Sequence, residues 1–430
     1  MNRRHFLTTT AAASLAYSAL PLYPALSRAS PYRTALIGSG WWGMNILRTA
    51  MAAGASKVVA MCDVDQHQLQ PAADEVRKLS NDRPKLYRDY RELLAKEKLE
   101  IVIVATPDHW HPLIAIAAAD AGAHVYVEKP ISHTLREGRA MVNAARRNGI
   151  QMQVGTHRRA SPHNQSAMEF LRSGKVGKIG MVRAFVHYGG GPGEVTPDEE
   201  PPAGLDWDFW CGPAPLRAFN PRIHPKGFRM FLDYANGQLG DWGIHWLDQI
   251  LWWTEEKYPK RISSVGGRFI KEDTTTAPDT QSVQYEFEDF VVEWEHRLYA
   301  ANQAEKHNIG CYFYGTEGTL HLGWIDGWTF YPADKNRQIV HQEPKLHEPD
   351  QQNIPELWAD FLASITRKRP PMCDIEIGHR STSMSLLGML SYKLGRGIAW
   401  DGEKEEIPND VEANHLLSRP YRGPWEYPTV

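Results

Sequence analysis

A short apolar run, Tyr32 to Ile37, leads directly into Gly38-Ser39-Gly40-Trp41-Trp42-Gly43, and a helical stretch from Met44 to Ala53 follows. Strand, G-x-G-x-x-G and helix in that order constrain the fold more than any other feature of the chain. The first glycine permits a tight turn, the second lets backbone approach a pyrophosphate, and the third allows close helix–strand packing. The helix N-terminus adds unpaired N–H groups and the positive end of a dipole, which together suit an anion. Gly38, Ser39, Gly40, Trp41, Trp42 and Gly43 are therefore candidate dinucleotide contacts. The two tryptophans are bulky for such a loop, and either cover the pyrophosphate or pack on a neighbouring domain.

The next strand, Lys57 to Cys62, ends at Asp63. An acid there bonds ribose hydroxyls and repels a 2′-phosphate. No Arg or Lys follows before Arg77, so NAD is favoured over NADP. One of Asp63 and Asp65 could instead cap the following helix. Leu99 to Ala105 is a continuous apolar strand of the kind buried on both faces of a parallel sheet. It runs into Thr106-Pro107-Asp108-His109-Trp110-His111-Pro112. A helix through Ala121, a strand from His124 to Val127, a helix from Leu135 to Asn148 and a strand from Gln151 to Gly155 complete the unit. The alternation predicts a Rossmann-type α/β domain over 31–155, a doubly wound parallel sheet. Beyond it, a helix is expected at Gln165–Arg172, strands at Met181–Tyr188, Ser282–Glu288, Val291–Leu298 and Ile309–Tyr314, and helices at Ile354–Ile365 and His379–Arg396. Residues 156–430 thus read as an α+β domain on a large, mostly antiparallel sheet.

The 430 residues carry a formal charge of −3, which gives no footprint for nucleic acid. Four scattered cysteines with no CxxC pair indicate neither a disulfide scaffold nor a zinc site. The N-terminus differs from the rest. Arg3-Arg4-His5-Phe6-Leu7, a weakly apolar run to Leu20 and small residues near Ala25 to Ser30 read as a twin-arginine export signal over 1–30. That run is too short and too rich in Thr and Ser to span a membrane, so an extracytoplasmic, periplasmic protein is expected. A cargo that folds before export can load a cofactor first, must then hold it tightly, and needs no disulfides.

Two regions carry candidate chemistry. In Val127-Glu128-Lys129-Pro130 a lysine sits at a strand's carboxyl end, where α/β sheets bind ligands. In Gly240-Asp241-Trp242-Gly243-Ile244-His245-Trp246-Leu247-Asp248 a regular helix would put Asp241, His245 and Asp248 on one side. A histidine between carboxylates can exchange a proton while one of them fixes its tautomer. Fifteen tryptophans are many for this length, and Trp207, Trp210, Phe228, Phe231, Tyr234, Trp242, Trp246, Trp252 and Trp253 crowd one region. Such rings stack on sugar faces, although most Trp and Phe supply packing area. His109-x-His111 has no further ligands at metal-site spacing, so no metal is expected.

The motifs GSGWWG (38–43), CDVD (62–65), ATPDHWHP (105–112), VEKP (127–130), VGTHRRASP (154–162) and GDWGIHWLD (240–248) run in the order found in the glucose–fructose oxidoreductase and inositol dehydrogenase family, Gfo/Idh/MocA, which the chain resembles over nearly its whole length after the leader. The resemblance implies a catalytic set of Lys129, Asp241 and His245, with His245 exchanging the proton and Lys129 orienting the hydroxyl. It implies that Thr106, Pro107, His109, His111 and Glu128 line the NAD site, with Arg159 near the domain junction. It also implies a sugar or polyol substrate and a homodimer or homotetramer built through the open sheet face. Some relatives are NAD-dependent glycosidases that oxidise only transiently. That branch lacks the lysine of the Glu-Lys-Pro turn, so Lys129 argues for a dehydrogenase. An inert sugar-binding protein on the same fold is the third reading.

Overall fold

A computed structural model describes residues 30–430 except Glu256, Gln303, Pro349 and Val430, so the expected export signal, apart from Ser30, lies outside the described residues. The first unit alternates strictly: β1 (Tyr32–Ile37), α1 (Trp41–Ala52), β2 (Ser56–Cys62), α2 (Gln66–Ser80), β3 (Lys85–Tyr87), α3 (Tyr90–Lys96), β4 (Ile101–Val104), α4 (His111–Asp120), β5 (His124–Val127), α5 (Leu135–Arg147) and β6 (Met152–Val154). Its strands pair in parallel in the order β3-β2-β1-β4-β5-β6, the doubly wound arrangement expected from the sequence. β4 is Ile-Val-Ile-Val with every residue buried, because helices cover both faces of the sheet. Asp65 caps α2 by accepting from the His67 N–H, which leaves Asp63 for another role. The short β3–α3 pair was not expected: three residues, two of them exposed, carry no periodic signal.

The second unit comprises α6 (Pro162–Arg172), β7 (Ile179–His187), α7 (Trp207–Cys211), α8 (Ile244–Thr254), β8 (Arg261–Gly267), β9 (Thr280–Glu286), β10 (Val291–Arg297), β11 (Ile309–Gly315), β12 (Gly318–Gly323), β13 (Trp328–Pro332), β14 (Val340–Gln342), α9 (Ile354–Arg367), α10 (Ile375–Leu394), β15 (Ile398–Ala399) and α11 (Val411–His415). Nine strands form one sheet in the order β14-β13-β12-β11-β7-β10-β9-β8-β15, antiparallel except for β7–β10. One face, with Val283, Tyr285, Val292 and Trp294, packs with Leu247, Leu387 and Leu390 of α8 and α10. The other face carries Arg183, Glu293, Glu295 and Arg297, as strand alternation requires. Among the described residues no helix is long and apolar enough to cross a membrane, and all four cysteines are buried and unpaired.

A single boundary at residue 155 does not describe the packing. Helix α9 lies far along the chain, yet Ile354, Leu357, Trp358 and Phe361 sit in the first unit's core with Ile101, Ile103 and Tyr126. The Gln153 amide donates to the Leu357 carbonyl at 2.8 Å, and the Val154 N–H to the Cys373 carbonyl at 2.8 Å. The returning chain thus covers the β6 edge, which would otherwise present unpaired backbone groups. A boundary read from local patterns cannot register such a return. Replacing the fully buried Trp358 by alanine should destabilise the protein by about 3–5 kcal/mol, read as a lowered urea midpoint.

Candidate active site

The carboxyl ends of β1, β2, β4 and β5 open into a cleft of about 850 Å³ whose opposite wall comes from the second unit. Such a cleft at the switch point of a doubly wound sheet is where ligands bind. Gly38 has φ +90°, and a Cβ there would lie 2.6 Å from the Ala105 carbonyl group. A Cβ on Gly43 would sit 2.1 Å from the Gly38 oxygen, so the third glycine fixes how closely α1 meets the turn. Gly40 is different, since no protein atom lies within 4 Å of where its Cβ would be. Protein packing does not require that glycine, but a closely approaching ligand would. α1 begins there with no side-chain cap and no acid in its first turn, leaving its N–H groups directed at the cleft. Asp63 closes the loop from behind: its carboxylate accepts from the Ser39 N–H at 2.7 Å, the Ser39 hydroxyl at 3.0 Å and the Asp65 N–H at 3.0 Å. These features fit a dinucleotide.

Lys129 projects from the end of β5 across the cleft. Its Nζ donates to Asp241 Oδ1 at 2.8 Å and to the Asp241 carbonyl at 2.9 Å. The Arg229 Nε donates to the same carboxylate oxygen at 3.1 Å. Burial would raise the Asp241 carboxyl, but the two cations outweigh it and hold it below the usual carboxylate range. Asp241 and His245 do not form the helical pair expected from their spacing. Residues Leu239–Gly243 make a π turn, and α8 begins only at Ile244. The wider turn removes the regular i, i+4 alignment, a device common at functional sites. His245 instead meets rings: its centroid lies 5.6 Å from His157, 5.9 Å from Trp242 and 4.8 Å from Trp324. Burial, with Lys129, His157 and Arg158 adding to it, holds the imidazole well below the usual histidine range, hence neutral and able to accept a proton.

Asp248 does not orient His245 either. It accepts from the Arg159 Nε at 2.9 and 3.0 Å and from the Ser381 hydroxyl at 2.7 Å, joining the segment after β6 to α8 and α10. Arg159 is accordingly a buried tie outside the cleft, not a cofactor contact. His109 is likewise displaced from its expected role. Fully buried, it bonds the Trp210 carbonyl at 3.0 Å and packs on Tyr234, while the cleft wall is made by its neighbours Asp108 and Trp110. Thr106, Pro107, His111 and Glu128 do line the cleft. The His111 ring spans the Thr106 and Pro130 carbonyls at 2.7 and 2.8 Å, and Gly155 leaves space that a Cβ would take from the Glu128 carboxylate. Trp41 is 58 % exposed at the mouth with the Lys226 ammonium 5.5 Å from its ring, whereas Trp42 turns inward toward His157. Of the nine clustered aromatics, only Trp210, Phe228 and Trp242 border the cleft.

Among the cleft residues that the sequence reading did not single out are Asp108, His157, Arg229 and Trp324. Asp108 and His157 stood inside quoted motifs. Arg229 and Trp324 come from segments with no local signature and are brought in only by tertiary packing.

The chain matches two family models, "Oxidoreductase family, NAD-binding Rossmann fold" over 32–156 and "Oxidoreductase family, C-terminal alpha/beta domain" over 180–427. It belongs to the Gfo/Idh/MocA oxidoreductase family. Curated relatives include D-apiose dehydrogenase from Paraburkholderia graminis, 31 % identical over 37 % of this chain and 43 % of its own. A glycosyl hydrolase family 109 protein from Stenotrophomonas maltophilia is 31 % identical over 43 % of this chain and 42 % of its own. The matches thus span less than half of either relative. Levoglucosan dehydrogenase, solved with NADH and levoglucosan, superposes with a TM-score of 0.67 at 19 % identity, covering 86 % of this chain and 99 % of that one. These family members share the fold, and the residue roles rest on the geometry above.

Burial pushes the Asp108 carboxyl up to about 7, against the opposing pull of Arg229 and Lys129. Unfolded, the group titrates near 3.8, so between about pH 4 and 7 the folded state holds a proton that the unfolded chain lacks. Stability contributed by this group is therefore present at low pH and lost as pH rises through about 7. In D108N that loss should vanish, so the variant gains a few kcal/mol relative to wild type on going from pH ~4 to pH ~7.5 in urea melts.

Proposed function

We propose that this protein transfers a hydride between a ring hydroxyl of a sugar or polyol and a tightly held NAD. The observation that carries the reading is the convergence, in one cleft, of the uncapped α1 N-terminus, Lys129 clamped by Asp241, and the neutral imidazole of His245. NAD, when bound, supplies the hydride acceptor. The α1 N–H groups and the open space at Gly40 would hold its pyrophosphate, and the Asp63 carboxylate would bond its adenosine ribose. NAD is favoured over NADP because the cations flanking that end, Arg48 and Arg88, are already paired with Glu75 and Asp206. Lys129 holds the substrate hydroxyl oxygen by hydrogen bond, and Asp241 and Arg229 keep the ammonium aimed. His245 takes the hydroxyl proton, a role open to it because burial keeps it unprotonated. Trp242 and Trp324 offer faces for a sugar ring, and Asp108 and Arg229 offer polar groups for its other hydroxyls.

Export through the twin-arginine route, with cofactor loaded beforehand, completes the proposal, and the Trp41–Lys226 contact over the mouth favours retention. A homo-oligomer formed through the polar outer face of the nine-stranded sheet is part of it. The glycosidase reading draws support from the family 109 relative, while the engaged Lys129 favours a dehydrogenase.

Native mass spectrometry of the purified protein should reveal retained NAD, and a sugar screen should reduce it. K129M and H245A should each lower kcat by about 10²–10⁴. Undiminished sugar-driven reduction in both variants would sink the assignment. Aglycone release from aryl glycosides with no net change in NADH absorbance would instead favour the glycosidase, and a protein with neither nucleotide nor turnover would favour the inert binder.

A further inference from the structure

On the outer face of the large sheet, away from the cleft, His307, His321 and Asp326 bring one donor atom each to within 4.8 Å of one another. His321, on β12, is 1 % exposed. Its ring stacks on that of His307 at 3.8 Å between centroids and 22° between planes. The Nε2 atoms of both rings are buried and have no hydrogen-bond partner among the described residues. Buried imidazole nitrogens are ordinarily satisfied, so two together call for a shared acceptor of their lone pairs. The third donor, Asp326 Oδ2, lies 3.2 Å from His307 Nδ1.

The backbone is shaped for the cluster. Gly310 on β11 and Gly323 on β12 are direct register partners. A Cβ on Gly310 would fall 2.5 Å from His321 Nε2, and one on Gly323 would overlap the Asp326 carboxylate. Both glycines thus vacate the volume taken by two of the donors. Asp326 is 45 % exposed and opens a path to solvent, and the nearby Lys306 ammonium is drawn aside to the Tyr331 hydroxyl at 2.5 Å. The neighbouring cluster of His187, Glu295 and Glu305 differs, because Arg183 and Arg297 already neutralise its carboxylates.

We propose that His307, His321 and Asp326 form a site for a divalent transition metal of the zinc class, completed by solvent. Two imidazoles and one carboxylate are the donor set such an ion takes when one position stays open. Asp326 and Trp324 share the turn between β12 and β13, and Trp324 lies 4.8 Å from the rings of both Trp242 and His245. An ion on the outer face therefore pins the turn that supplies one wall of the cleft.

The test uses the whole exported protein, freed of any affinity tag and dialysed against chelator, with Co²⁺ and Zn²⁺ alone as probes. One Co²⁺ per chain should bind with the visible absorption of a four-coordinate nitrogen–oxygen site, and Zn²⁺ should raise Tm. The surface double variant H307N/D326N should lose both responses. G310A keeps all three donors but crowds His321, and should weaken binding at least about tenfold. H187N should bind as wild type does. The proposal is overturned if wild type takes up no Co²⁺, if H307N/D326N binds it unchanged, or if H187N abolishes binding and so moves the ion to the neighbouring cluster.

Discussion

The Lys129–Asp241 pair is where the two halves of this protein meet chemically. One partner stands at the carboxyl end of β5, the other in the π turn before α8, and both are largely removed from water. Losing Asp241 would leave the partly buried Lys129 and Arg229 without their shared carboxylate, which costs several kcal/mol in comparable settings. Arg229 makes the arrangement a triad, and the two cations hold the Asp241 carboxyl below its usual range against the opposing effect of burial. The cleft is then a seam whose two walls are registered by one ion cluster, and small shifts of either wall reach Lys129 directly.

That seam stays narrow because other ties hold the walls. Arg159 and Ser381 converge on Asp248 below the floor, and Arg146 pairs with Asp374 at the start of α10. Gly378 in α10 lets the helix pass close to Val154 of β6, where any Cβ would clash. Arg139 links α5 to Glu376 and Glu405. The first unit is therefore braced by residues more than two hundred positions away. The proposed hydride transfer would need this rigidity, because reactive atoms must be held near contact distance through the step.

What the sequence made legible follows the range of the interaction that decides each feature. The glycine loop, β4 and Lys129 are set by neighbours within ten residues and stand where the sequence places them, at the β1–α1 turn, in a buried strand and at the end of β5. The alternation of β9 and β10 also survives in a single strand. Asp248 was misread because its partner Arg159 lies 89 residues away and no local rule favours that guanidinium over His245. His109 was misread because the packing of Trp210 and Tyr234 decides which of two nearby histidines faces inward. The π turn hid the true orientation of Asp241, since helix spacing assumes a constant turn. α9 carried a clear amphipathic signal, but nothing in it says which core it joins.

His245 shows how the remaining electrostatics fit together. Among the described residues no carboxylate is hydrogen-bonded to it, and the charges that lower it are positive: Lys129 and Arg158, with the His157 ring adjacent. Arg158 itself is 3 % exposed, lies 3.8 Å over the Trp324 ring, and finds no hydrogen-bond acceptor among the described residues. Burial pulls this guanidinium down to about 9, still well on the protonated side of neutral pH. A buried cation is tolerable there because the indole face supplies a diffuse negative surface in place of a carboxylate. The consequence is directional. A carboxylate against His245 would stabilise the imidazolium and hold the proton there, whereas a cation behind a tryptophan destabilises it. In the proposed reaction, a proton taken by His245 from a substrate hydroxyl would therefore be readily passed on, returning the histidine to its neutral form for the next turnover.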